Sequence, residues 1–206
     1  TALVSFMQVN NETGALLNVE RFAAAVRAMA PNALIHIDGV QGYLRVPLSL
    51  KNVDMYTLSG HKLHGPKGIG ALVVRKGVRL LPRQMGGGQE RDLRSGTENT
   101  PGIAGLHAAI EAMRQADLSA LRKNKDALYE AILAAVPEAL RNGPALGAPH
   151  ILNMSFPGVR GEVLLHALEE KGVYVSTGSA CSSKKRKISA VLTAMGMEPG
   201  RAESAL

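Results

Sequence analysis

The chain has 206 residues, 46% of them hydrophobic but only 3% aromatic and none Trp, which is enough for real cores and too little aromatic surface to stack single-stranded bases. A net charge of +7 invites a polyanion, yet the only dense basic run, Lys184 to Lys187, comes with no recognition motif and reads as a solvated loop, so no direct nucleic-acid partner is expected. One cysteine excludes an internal disulfide and a cysteine-built zinc site, no metal is expected, no run of about 20 apolar residues is present to span a membrane, and a reducing, cytoplasmic setting fits.

Leu3 to Val9 reads as a strand that delivers the polar loop Asn10-Asn11-Glu12-Thr13-Gly14. Asn18 caps a helix with Val19, Phe22, Ala23, Val26 and Met29 on one face, stopped at Pro31. Ala33 to Gly39 is a buried-strand pattern closing on Asp38. Strand, helix, strand predicts a parallel sheet whose ligands sit at the carboxyl ends of its strands, where Asn11 and Asp38 both stand. A third strand, Asp54 to Leu58, places Ser59, His61 and Lys62 at the same edge if its direction is shared.

Lys62 lies between His61 and His64 on a glycine-rich turn. A lysine of depressed basicity forms Schiff bases with carbonyls, and Ser59 and His61 offer donors to an anion such as phosphate; a surface lysine in a glycine turn has the same spelling. Ala71 to Val74 is a further short strand, and Gly86 to Asn99 a long polar loop in which Ser95, Thr97 and backbone N–H groups suit an anion or simply connect. Neither loop matches Gly-x-x-x-x-Gly-Lys-Ser/Thr, so a nucleotide P-loop is not supported.

From Pro101, Ile103, Leu106, Ile110 and Met113 mark a helix; a second, Leu118 to Val136, is expected to turn Leu121, Leu128, Ile132 and Ala135 inward and Arg122, Lys123, Lys125 and Glu130 outward. A junction near Asp117 leads into an α+β part: a strand Ile151 to Phe156, a helix Glu162 to Lys171, a strand Val173 to Ser176 and a helix from about Lys187 to Met195. Cys181, among small and polar neighbours and before a cationic run, is either a small buried hydrophobe or a thiol with a favoured thiolate.

Together, Val9 to Gly14, Asp38-Gly39-Val40-Gln41, Ser59 to Gly68, Arg94-Ser95-Gly96-Thr97 and Gly178-Ser179-Ala180-Cys181 resemble the cysteine desulfurases, pyridoxal-phosphate enzymes of the class V aminotransferase family. The motifs run in order over essentially the whole chain, and the Gly-Ser-Ala-Cys form resembles the branch serving iron–sulfur assembly and tRNA thiolation. The resemblance implies an α/β fold of the PLP-dependent, aspartate aminotransferase-like type: a mainly parallel large domain over 1–117 and part of a smaller α+β domain over 118–206. It implies that Lys62 attaches pyridoxal 5'-phosphate, that Asp38 pairs with the pyridine nitrogen, and that Gln41 and Asn11 bond the phenolic oxygen side. Ser59 and His61 would hold the phosphate, Thr97 would reach the phosphate of the partner subunit in a homodimer, and Cys181 would take the sulfur of L-cysteine as a persulfide, leaving alanine. His36 and His64 read as structural, and Lys67 as a surface charge on the glycine turn.

The implied partner is a sulfur acceptor or iron–sulfur scaffold protein. A selenocysteine lyase, a class V aminotransferase, or an incompetent fragment serving as an interaction module are the alternatives. The family pattern also has a ring-stacking histidine ahead of Thr1 and a carboxylate-binding arginine past Leu206, so an interior fragment of a longer enzyme is expected.

Overall fold

A computed structural model describes residues 1–178 and 188–206. The chain forms two compact units, one of Thr1–Val9 with Leu17–Ala116, the other of Asn10–Leu16 with Asp117–Leu206.

The first unit is built on a four-stranded sheet: β1 (Leu3–Met7), β2 (Leu34–Asp38), β3 (Met55–Ser59) and β4 (Gly70–Val74), in that spatial order. β1, β2 and β3 run parallel, and β4 returns antiparallel to β3, pairing Ser59 with Gly70. The crossover between β1 and β2 is α1 (Val19–Met29), which Asn18 starts by accepting the Arg21 N–H at 3.0 Å. The second helix, α2 (Thr100–Arg114), starts at Asn99, whose side chain takes the Gly102 N–H at 3.0 Å, with Pro101 in the first turn.

Strand alternation sorts the sheet into two faces. Ile35, Ile37, Tyr56 and Leu58 are buried in one cluster with Val19 and Ala23 of α1 and Leu106 and Ala109 of α2. Alternate residues, His36 and Asp38 on β2 and Thr57 and Ser59 on β3, therefore take the other face. Met29, expected on the inner side of α1, is exposed at the end of the helix.

Just before β3, with its N–H on the Ile35 carbonyl, lies Asp54, buried and bridged by the guanidiniums of Arg27 and Arg75. Its Oδ2 also accepts the Ile35 N–H at 2.8 Å. Burial works to raise its pKa, but the Ile35 N–H and the two arginines outweigh burial and hold the carboxyl below its ordinary value.

In the second unit α3 (Leu118–Ala135) is capped by Asp117. It departs from the expected facing. Lys125 is buried and donates to the Ala148 carbonyl at 2.8 Å, while Leu121 and Leu128 are exposed. The reason is local: the Gly147-Ala148 backbone offers bare carbonyls to this helix, and Arg122 takes the Gly147 one at 3.2 Å. Long cationic side chains can bury their stems and still satisfy their heads on such a surface. A short antiparallel pair, β5 (Leu140–Arg141) and β6 (Met154–Ser155), follows, then α4 (Gly161–Glu169), α5 (Ala190–Ala194) and α6 (Pro199–Glu203). Residues 173–176, expected as a strand, are irregular.

Asn10–Leu16 packs by backbone in this unit. Ala148 N–H donates to Gly14 O at 2.8 Å, and a Cβ on Gly143 would stand 2.1 Å from Thr13 O, so only glycine fits there. Glu12 accepts the hydroxyl of Ser189, which caps α5.

Candidate functional site

The site residues of the first unit come from two strand ends and the turns that follow them. Asp38 is the last residue of β2, and Ser59 the last of β3; because these strands are parallel, with Asp38 paired to Thr57, both turns leave the sheet at one edge. The third strand does share the direction of the first two, which brings Asp38, Ser59, His61 and Lys62 to that edge.

After β2 the chain turns at Gly39. Asp38 Oδ1 accepts the Val40 N–H at 2.9 Å, and the Gly39 carbonyl accepts from Gly42 and Tyr43 at 2.9 and 2.8 Å. The turn keeps Asp38 and Gln41 half-buried. After β3 a 3-10 helix, Gly60–Leu63, carries His61 and Lys62 and ends at His64 in the left-handed conformation (φ 63°).

Leu63 anchors that turn in the core, and Pro66 lies against α2, so closely that a Cβ on Gly105 would stand 2.5 Å from Pro66 Cγ. With Leu63 committed inward, Lys62 is left half-buried and His61 exposed. Ser59 Oγ and His61 Nδ1 are 2.8 Å apart, a hydroxyl and an imidazole side by side. The Arg45 guanidinium donates to the Lys62 main-chain carbonyl, and burial lowers the pKa of this arginine.

Thr97 is exposed in the loop beyond Ser95. Asn11 belongs to the second unit, where Asn10 Oδ1 organises the same loop by accepting from the N–H groups of Glu12 and Thr13 at 3.0 and 2.9 Å. Cys181 lies outside the described residues. His36 bonds Ser5 Oγ at 2.8 Å and Thr57 Oγ1 at 3.3 Å, a structural tie across three strands.

Sequence reading passed over Arg45, Gln8 and Tyr56. No local signal marks them, since each acts on a segment far along the chain; the only hint is that Tyr56 brings a hydroxyl to a position whose strand neighbours are apolar.

The chain matches the model of the aminotransferase class-V family over residues 1–197. Cysteine desulfurase 2 of Trichormus variabilis is 45% identical over 203 residues, covering 96% of this chain and 50% of the relative. The cysteine desulfurase of Trichormus azollae is 43% identical with the same coverage. Among solved structures, a NifS-like protein superposes with a TM-score of 0.86 at 38% identity, over 100% of this chain and 54% of that one. The chain thus spans about half the length of the curated relatives it matches.

Proposed function

The chain belongs to the class V aminotransferase family, and on that premise we propose that the whole protein is a pyridoxal-phosphate-dependent cysteine desulfurase. It converts L-cysteine to L-alanine and passes the sulfur through Cys181 to an acceptor or iron–sulfur scaffold protein in the cytoplasm. The observation that carries the reading is the donor set at one strand edge. The Lys62 amine suits an aldehyde, the Asp38 carboxylate suits a protonated ring nitrogen, and the Ser59–His61 pair at 2.8 Å suits a phosphate.

When bound, the pyridoxal ring supplies an electron sink for the pair released at the substrate α-carbon. Lys62 Nζ would hold the cofactor and, when not bonded to it, would carry a proton. Asp38 would keep the ring nitrogen protonated, Gln41 and Asn11 would bond the phenolic oxygen side, and Ser59 and His61 would hold the phosphate. Thr97 would serve the phosphate of the partner subunit in a homodimer. Cys181 attacks the substrate sulfur: the carbon–sulfur bond breaks, a sulfur–sulfur bond forms on Cys181, and a proton takes the place of sulfur on the carbon that becomes the alanine methyl.

The test is a spectrum, a mass and a product assay on the whole protein. A visible cofactor band bleached by borohydride, with added mass at Lys62, and alanine formed from cysteine are expected. Cys181→Ser should keep the band and lose the persulfide. Unmodified Lys62 in cofactor-loaded, reduced protein, or undiminished sulfur transfer by Cys181→Ser, would overturn those assignments.

A further inference from the structure

Beneath the turn that carries Asp38 lies a polar pair that no part of the sulfur chemistry uses. Tyr56 and Gln8 are each only 1% exposed. The Tyr56 hydroxyl donates to Gln8 Oε1 at 2.7 Å, and Gln8 Nε2 donates to the Pro47 carbonyl at 3.1 Å. A phenylalanine would fill the same core volume without burying a hydroxyl, which is costly when left unbonded.

The backbone of Gln8 ties the pair to the site. Its N–H donates to the Asp38 carbonyl at 2.8 Å, and its carbonyl accepts the Leu17 N–H at 2.9 Å. The turn itself rests on both side chains. A Cβ on Gly39 would stand 1.8 Å from Tyr56 Cζ, and one on Gly42 would stand 2.3 Å from Gln8 Oε1. The residue after Asp38 and the residue after Gln41 are therefore glycines lying directly on the phenol and the amide. On the far side Gly39 N–H donates to Thr57 O at 2.9 Å, next to Tyr56 in the chain. Burial first, then Tyr43 and Asp38, raise the pKa of the Tyr56 phenol above its ordinary value of 10. It stays a hydrogen-bond donor at neutral pH.

We propose that Tyr56, through its hydrogen bond to Gln8, is a positioning residue that sets the Asp38–Gln41 turn, and with it the Asp38 carboxylate, for the ring nitrogen of the cofactor. The proposal rests on the pyridoxal-phosphate reading above. Tyr56 touches no reacting atom; the backbone bonds of Asp38 and Gly39 tie the start of the turn to the sheet, and the phenol and amide beneath Gly39 and Gly42 set how the rest of the turn lies on it.

The experiment uses the whole protein with three readouts: melting of the apoprotein, cofactor dissociation constant, and position of the visible cofactor band. Tyr56→Phe should weaken cofactor binding by roughly fivefold to tenfold, the scale of one buried hydrogen bond, and displace the band. The double variant Tyr56→Phe/Gln8→Met removes the phenol hydroxyl and the amide together, and the Pro47 carbonyl that loses its donor belongs to an exposed residue. This variant should melt at or near the wild-type temperature while affinity and band remain altered, because a core-filling role would recover with stability and a positioning role would not. Wild-type affinity and band in Tyr56→Phe, or their return in the double variant, overturns the proposal while the cofactor reading stands. Wild-type protein that takes up no cofactor overturns that reading and this proposal together.

Discussion

Among the described residues each unit buries one charge, and the two are kept in opposite ways. Asp54 is enclosed by two guanidiniums and a backbone N–H, so its surroundings favour the ionised form. Lys125 has a carbonyl, and its pKa is lowered by burial first and then by Arg122 and Arg141, with only Asp126 opposing. The first charge organises its neighbours; the second is tolerated by them. A buried ion is thus no measure of stability by itself, and its worth is set by what compensates it.

The largest effect should come from Asp54→Asn. Removing the carboxylate leaves the Arg27 guanidinium, which is only 22% exposed, without its partner, and a loss of about 3 kcal/mol is expected in denaturant unfolding. Arg75 is 57% exposed and adds little. The same residue sets an acid limit. With the folded pKa below the ordinary 3.8, its stabilisation is complete above that value and is lost as pH falls through the lower folded value. Asp54→Asn should flatten that part of the stability–pH curve.

Lys125→Met should cost at least about 2 kcal/mol less than Asp54→Asn, since the lost bond to Ala148 O is offset by relief of a desolvated charge. An equal loss would break the contrast. Asn18→Ala, outside both charges, calibrates the scale at about 1 kcal/mol for a helix cap.

The same contrast explains what the sequence could reveal. In the first unit the period of two is clean in β2 and β3, and apolar runs mark the other strands and the helices α1 and α2. The strand-end residues were legible for the same reason: Ile35-His36-Ile37-Asp38 and Tyr56-Thr57-Leu58-Ser59 alternate apolar and polar, so polar groups fall on one face. In the second unit strands two residues long carry no period. The facing of α3 was misread because hydropathy treats Lys125 as solvent-seeking, whereas its head found a carbonyl on a glycine-rich backbone. The Tyr56–Gln8 bond spans 48 residues, and no local pattern encodes a pairing at that distance.

The division of the chain has a consequence for its synthesis. Asn10–Leu16 is made ahead of nearly all of the first unit yet belongs to the unit whose remainder begins at Asp117, and its Glu12–Ser189 bond closes over 177 residues. Such a loop is slow to close, though lengthening it further adds little thermodynamic cost. The emerging chain therefore leaves the Glu12 carboxylate without this partner until Ser189 and α5 have been made. A gene split at residue 117 would give a carboxyl-terminal product lacking an internal piece of its own core, and supplying Asn10–Leu16 as a peptide is the natural way to complement it.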